Sequence, residues 1–380
     1  MKSIFYWSPY LTNVGSVYAV MESAISLRKF SKTFEPYIID SCGEFESFKD
    51  YLDQNKIKIV NLHKFKYFKI LPQTGFIQSR ISFIIIFLIS FIPLLMLLKR
   101  KKPEYMMIYL LTSLPLSLNY FFNLKTKMIL RISGFPKMTF VRLNFWKRVL
   151  NKIYLVICPT IATENDLSKL NIAETKKIKT LYDPVVNIRK IAKLKKEEID
   201  TKFKGKKFIL AIGRLTRQKN FEFLISCFKN ISEKYKELNL IIIGEGEDRK
   251  KLEKISKSLK IYEKVYLIGF HENYFKFLNK CECFILSSLW ENPGFVLVDA
   301  AASNTPILSS NCKNGPIEIL EEEKGGYLFQ NNDKQNFLDK FDIFMNGDVK
   351  SIYKKKIFSK KKIRLFTRFN HFKNLNKLIL

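Results

Sequence analysis

The residues best suited to chemistry stand in two short segments of the second half of the chain. The apolar run 208–212 ends in Gly213-Arg214-Leu215-Thr216-Arg217-Gln218-Lys219-Asn220, after which helical spacing begins. Cations at the carboxyl edge of a parallel strand, beside a helix start, are placed to receive an anionic phosphate. Arg214 can hold phosphate oxygens through two parallel hydrogen bonds, and Lys219 adds a compact charge. Both interactions strengthen as negative charge develops on a departing diphosphate. The second segment, Trp290-Glu291-Asn292-Pro293-Gly294-Phe295-Val296-Leu297-Val298-Asp299, leads from the apolar run 283–286 into a helix expected to start near Gly294. Its two acids flank a helix N-terminus with free backbone N–H groups, which suit phosphate, while carboxylates suit sugar and ribose hydroxyls. Taken singly, each has a plainer reading: a solvated Arg or Lys on a loop, or an acid balancing the helix dipole.

Positioning such residues takes a regular frame, and the chain has one. Short apolar runs at 3–7, 37–39, 105–110, 127–132 and 153–158, with helical periodicity at 16–30, set a βα rhythm in the first half. The second half repeats it at 208–212, 238–243, 265–268, 283–286 and 306–308. These runs are almost continuously apolar, as in parallel strands covered on both faces. The fold class is therefore α/β with two sheets. The expected division is a first domain over 1–183, a Lys-rich linker over 184–206, a second domain over 207–348, and a helix over 349–380 packing back on the first domain.

With 380 residues, 47% of them hydrophobic, the chain is too long for one ordinary core and too apolar to be disordered. The formal charge of +31 fits a nucleic-acid binder, a protein on anionic lipid, or a Lys-rich genome; the basic residues are spread along the whole chain, not gathered in one block. Cys42, Cys158, Cys227, Cys281, Cys283 and Cys312 lack paired metal-ligand spacing and read as free thiols of a reducing cytosol. The N-terminal MKSIFYWSPYLTNVGS reads as a first strand and turn, not a signal peptide, so the protein is expected to stay inside the cell.

The most apolar stretch, 81–98, is followed at once by Lys99-Arg100-Lys101-Lys102. As a helix it would be ~27 Å long, just short of the ~30 Å hydrocarbon core. A span would put strands of one sheet on opposite sides of the bilayer, so spanning is disfavoured. Pro93 interrupts the run. Two readings stay open: a helix sunk in the headgroup layer and held by the basic cluster, or an ordinary buried helix.

The phrases AIGRLTRQKNFEFLI, IIIGEGEDRKKL, VYLIGF and LWENPGFVLVDAAA occur in the order and spacing of the family-four retaining glycosyltransferases, which the chain resembles strongly over 208–320. Before that, FYWSPY, RISGFP and CPT resemble members acting in bacterial cell-surface polysaccharide and lipopolysaccharide synthesis. The resemblance implies a GT-B fold, two Rossmann-like domains facing across a cleft, the first on the acceptor side and the second binding the donor nucleotide. It implies that Arg214 and Lys219 bind the donor diphosphate, that Glu291 binds the donor sugar hydroxyls, and that Asp299 binds the ribose, with Asp where the family has a second Glu. The Gly294–Phe295 backbone would meet sugar or phosphate, Gly213 belongs to the diphosphate loop, and Gly15 would approach the diphosphate from the other domain. Gly244 and Gly246 would let a base or ribose come near the backbone, though a simple turn fits them equally.

No Asp-x-Asp occurs, so no metal and no cofactor is expected, the donor being a nucleotide-diphosphate sugar, UDP- or GDP-linked. None of His63, His271 and His371 falls in a motif, which leaves the family's front-side mechanism, in which the leaving diphosphate helps deprotonate the acceptor. Expected partners are a nucleotide sugar, a lipid-linked or glycan acceptor and an anionic membrane surface, with no nucleic acid, at the inner face of the cytoplasmic membrane. The alternatives are a sugar-nucleotide epimerase or phosphorylase of the same fold, a basic nucleic-acid-binding protein, and a non-catalytic binding relative.

Overall fold

The structure, a computed structural model, describes every residue except 13–14, 73–75 and 137, and the side chains of Ser16 and Phe76. The chain divides into two compact units, Met1–Val185 with Phe366–Leu380, and Val186–Leu365.

The first unit is built on a parallel sheet of seven strands: β1 Lys2–Trp7, β2 Phe34–Asp40, β3 Lys58–Asn61, β4 Tyr105–Ile108, β5 Lys127–Arg131, β6 Leu155–Cys158 and β7 Ile178–Thr180, in the order β3-β2-β1-β4-β5-β6-β7. Side chains alternate across it. Ile4, Tyr6, Tyr105, Met107 and Ile129 face one core with the helices Gly15–Phe30 and Arg368–Ile379. Phe5, Trp7, Met106, Ile108, Met128 and Leu130 face another with Leu94, Leu98, Leu116, Leu118 and Trp146. Burial on both faces is why these strands read as unbroken apolar runs.

The second unit holds six parallel strands: β8 Lys207–Ile212, β9 Leu238–Ile243, β10 Val265–Leu267, β11 Phe284–Leu286, β12 Ile307–Ser310 and β13 Tyr327–Phe329, in the order β10-β9-β8-β11-β12-β13. Each sheet reverses its strand order once, between β1 and β4 and between β8 and β11. Outside the carboxyl ends of the strands at such a reversal, the flanking loops part and leave a crevice.

Three sequence expectations differ from the structure in detail. The stretch 184–206 contains a helix, Ile188–Leu194, capped by the Asn187 side chain. The segment 349–380 holds two helices: Val349–Lys362 lies in the second unit and Arg368–Ile379 in the first, the latter started by the Thr367 hydroxyl accepting from the Asn370 N–H. Arg368 is tied to Glu22, and the His371 ring lies 2.7 Å from the Ser23 hydroxyl. Finally, Pro93 sits inside one continuous helix, Phe76–Lys101.

That helix is half core and half surface. Ile86, Leu94 and Leu98 are buried, whereas Ile77, Ile81, Ile84, Leu88, Ile92 and Met96 are exposed. Their spacing of three and four places the exposed set on one stripe. By length and composition the helix could cross a membrane, yet its inner face belongs to the packed core of the first unit.

Candidate functional site

The loops after β8 and β11 flank the strand reversal of the second sheet, and they are sewn together. The Leu289 N–H donates to the Gln218 carbonyl at 2.9 Å, and the Gln218 side-chain amide donates to the Trp290 carbonyl at 2.9 Å. The Ser287 hydroxyl donates to the Lys219 carbonyl at 2.8 Å. Across this seam Lys219 Nζ meets Glu291 Oε1 at 2.5 Å, with side chains only 12% and 5% exposed. The Ser288 hydroxyl donates to the same Oε1 at 2.6 Å, and the Ser310 hydroxyl donates in turn to the Ser288 carbonyl. Both partners of the ion pair are thus drawn from water and fixed before any ligand arrives, the condition under which a charge is most effective. Oε1 of Glu291 thus takes both the lysine and the serine.

Two glycines shape this pair. A Cβ on Gly213 would stand 2.8 Å from Lys219 Cε, so only glycine lets the lysine stem lie against the β8 turn. Gly294, with φ +88°, is in the left-handed region and starts the helix Phe295–Ala302; a Cβ there would crowd Glu291 Cγ at 3.2 Å. Phe295 opens that helix, half-buried.

Arg214 lies on the same loop, is exposed, and among the described residues forms no ion pair. The net positive charge of this loop therefore rests with Arg214 and Arg217, while Lys219 and Glu291 neutralise each other. Gly244 and Gly246 follow β9, and a Cβ on either would strike the Gly213 carbonyl at 1.9 Å or the Leu215 carbonyl at 2.3 Å. Their glycine character thus serves close backbone packing that braces the arginine loop, with the Leu215 N–H donating to the Glu245 carbonyl.

Asp299 stands apart from this set. It is buried in the helix Phe295–Ala302, and the Tyr274 hydroxyl donates to its Oδ2 at 2.7 Å. Burial pushes its carboxyl up to about 7, the tyrosine hydrogen bond opposing this. Gly15 begins the helix Gly15–Phe30 in the first unit and is exposed.

Sequence reasoning missed Ser287, Ser288, Gln218 and Ser310, which fix the lysine and glutamate. The signal was a pair of hydroxyl residues directly after a strand at its carboxyl edge. Among the described residues no group of three or more His, Cys, Asp or Glu could hold a metal ion, and all six cysteines are unpaired.

Residues 192–364 match the family Glycosyl transferases group 1. That match falls within the second unit. An uncharacterized glycosyltransferase of Methanocaldococcus jannaschii is 40% identical over 151 residues, 39% of this chain and 36% of that protein. An N-acetylgalactosamine-N,N'-diacetylbacillosaminyl-diphospho-undecaprenol 4-alpha-N-acetylgalactosaminyltransferase of Campylobacter jejuni is 27% identical over 244 residues, 62% of this chain and 65% of that protein. The chain thus spans about a third to two thirds of these relatives' lengths. The crystal structure of Anabaena HepE with UDP and glucose superposes with a TM-score of 0.74 at 14% identity, covering 99% of both chains. The fold is GT-B, two Rossmann-like domains.

Proposed function

We propose that the protein is a retaining glycosyltransferase that moves a sugar from a nucleotide diphosphate to a lipid-linked or glycan acceptor in cell-envelope polysaccharide synthesis. The observation that carries this reading is the preformed Lys219–Glu291 pair beside Arg214 at the strand reversal of a sheet in the glycosyl transferase group 1 family. The Campylobacter relative, named for an undecaprenol diphosphate acceptor, supports the acceptor class.

Arg214 and Lys219 hold the diphosphate, and the Glu291 carboxylate accepts a donor-sugar hydroxyl. As the bond between the anomeric carbon and the phosphate oxygen breaks, charge builds on the nucleoside diphosphate beside the two cations. The acceptor oxygen bonds to the anomeric carbon on the same face, and its proton passes to the leaving phosphate oxygen. Positive side chains take the part a metal would play elsewhere. Asp299 takes the ribose, with Gly15 and the Gly294–Phe295 backbone near the diphosphate and sugar.

The exposed stripe of the helix Phe76–Lys101 favours a place on the inner face of the cytoplasmic membrane. Lys99, Arg100 and Lys101 close that helix, and each cation near an anionic surface contributes about 1 kcal/mol. An anionic bilayer matches an apolar stripe that ends in cations.

The test is a thermal-shift screen against UDP, GDP, ADP and their sugars, followed by transfer with the donor that binds. A ligand at about 100 times its dissociation constant stabilises the fold by ~2.7 kcal/mol. Sugar transfer with the anomeric configuration kept supports the reading. Epimerisation of the free nucleotide sugar instead would establish the alternative enzyme of the same fold.

A further inference from the structure

We propose that a basic cavity at the amino edge of the first sheet binds the phosphate of a small dissolved phosphoester, and that the bound anion fastens the C-terminal helix to the first unit. The cavity measures about 500 Å³, within the range of small-ligand sites, ~300–1,000 Å³. Three segments of the first unit wall it: the last turn of the helix Gly15–Phe30, the end of the helix Lys49–Gln54 with Lys56 beyond it, and the first turn of the helix Arg368–Ile379. The first of these helices ends just before β2 and the second just before β3, so the cavity stands at the amino ends of two paired strands. Gly15, placed near the diphosphate, is at the far end of the same helix as Arg28, ~20 Å away at 1.5 Å per residue. The site therefore shares no residue with the sugar-transfer crevice.

Its walls are cationic. Arg28, Lys29, Lys56 and Arg368 line it, and among the described residues no carboxylate does. Arg368 is fixed in place: its Nη2 donates to Glu22 Oε1 at 2.8 Å and to the Tyr51 hydroxyl at 2.9 Å, and its side chain is 18% exposed. Glu22 thus balances Arg368. Glu35, which feels the charge of Arg28, is paired with Lys58 at 2.8 Å. The positive charge of Arg28, Lys29 and Lys56 is left over and suits an anion of two or more charges. Arginine forks match phosphate oxygens, and lysines add point charge. Gln54 adds an amide and the buried Ile25 an apolar floor, which fit the organic body of a phosphoester.

Helix dipoles account for only part of this charge. Arg28 and Lys29 close a helix, where cations are favourable. Arg368 opens one, where a cation is unfavourable. Lys56, with φ +56°, takes the left-handed position that ends Lys49–Gln54; its N–H donates to the Asp53 carbonyl and the Ile57 N–H to the Leu52 carbonyl, both at 2.9 Å. Glycine is the usual residue at such a position, and here a lysine brings its ammonium to the cavity. The ligand is a dissolved one because of the face the cavity joins. Ile25, Leu52 and Ile57 share a core with Leu375 and Ile379. The helix Phe76–Lys101, which carries the stripe proposed for the bilayer, packs through Leu94 and Leu98 into the core of the other face. A phosphate held between Lys56 and Arg368 would tie the start of the C-terminal helix to the segment before β3.

Hydrogen exchange of the full chain tests this, with inorganic phosphate, pyrophosphate, glucose 6-phosphate and fructose 1,6-bisphosphate as probes at constant ionic strength. At ~10 times its dissociation constant, one of them is expected to slow exchange about tenfold in peptides covering 366–380. Lys29→Gln with Lys56→Gln is expected to weaken that compound about tenfold or more. Two other pairs should leave the protection unchanged: Lys350→Gln with Lys354→Gln, at exposed lysines of the second unit, and Arg214→Ala with Lys219→Ala. No protection by any of the four probes, or an equal loss in either of these two variants, overturns the site. Protection by vesicles containing anionic phospholipid, with none from the dissolved probes, overturns the dissolved ligand in favour of a headgroup.

Discussion

Replacing Lys219 with Met removes the ammonium while keeping a stem of similar length. Glu291, 4% exposed, would then lose its cation and keep the Ser288 hydroxyl at 2.6 Å. Leaving one partner of a buried ion pair uncompensated costs about 3–5 kcal/mol. Replacing both members, with Lys219→Met and Glu291→Gln, leaves a neutral pair and costs much less than the sum of the two single changes. A double-mutant cycle should therefore give a coupling of about 2–3 kcal/mol, near the top of the range for contacting residues. Because the protein has two units, one unfolding midpoint is not a defined quantity. Hydrogen exchange of peptides covering β8 and β9 reads the second unit directly. Turnover of Lys219→Met should fall by ~10²–10³, the usual loss for one preorganised charge partner. Additive stabilities, within about 0.5 kcal/mol, together with unchanged turnover would refute the reasoning.

Three further outcomes are expected. Asp299, raised to about 7 by burial, binds a proton in the folded chain that the unfolded chain releases near its ordinary 3.8. Its contribution to stability is whole below about 3.8 and fades as pH rises through 7, so the Asp299→Asn variant should gain on the wild type from pH 5 to 8 in the hydrogen-exchange protection of second-unit peptides, compared at each pH; parallel curves would contradict this. Leu88→Asp with Ile92→Asp, on the exposed stripe, should abolish sedimentation with vesicles containing anionic phospholipid while leaving nucleotide-sugar binding intact, and equal sedimentation would remove the membrane face. Transfer should persist in excess EDTA, since Arg214 and Lys219 supply the positive charge; loss of activity restored by a divalent cation would overturn the metal-independent mechanism.

The parts of the fold that were plain in the sequence are those buried on both faces. The central strands β1, β4, β5, β8, β9 and β11 are runs such as Phe208-Ile209-Leu210-Ala211-Ile212, whose apolar continuity reflects helices on either side. The strands that went unseen, β3, β7 and β13, all lie at sheet edges. Lys58 and Lys179 break the run in β3 and β7, where one flank meets solvent, whereas β13 is the apolar Tyr327-Leu328-Phe329, too short to stand out. The helix Phe76–Lys101 could be read as buried or interfacial because it is both, one face against Trp146 and its neighbours and one bare.

The site was legible in its charged members and illegible in its wiring. Lys219 and Glu291 are 72 residues apart in sequence. They meet only because β11 crosses over to lie beside β8, an adjacency no local pattern encodes. Likewise Gly244 and Gly246 looked available to a ligand, and only the packing of the β9 turn on Gly213–Leu215 gives their backbone another task. Asp299, paired by spacing with Glu291, has Tyr274 as its neighbour, 25 residues earlier, just before the short helix Phe275–Leu278.

The most direct test of the diphosphate site is calorimetric titration of UDP, GDP and ADP into the wild-type chain and into the Arg214→Ala, Lys219→Ala double variant, with folding checked by circular dichroism. One nucleoside diphosphate should bind the wild type at least a hundredfold more tightly than the variant. Equal affinity in the two proteins would contradict a diphosphate grip by these cations.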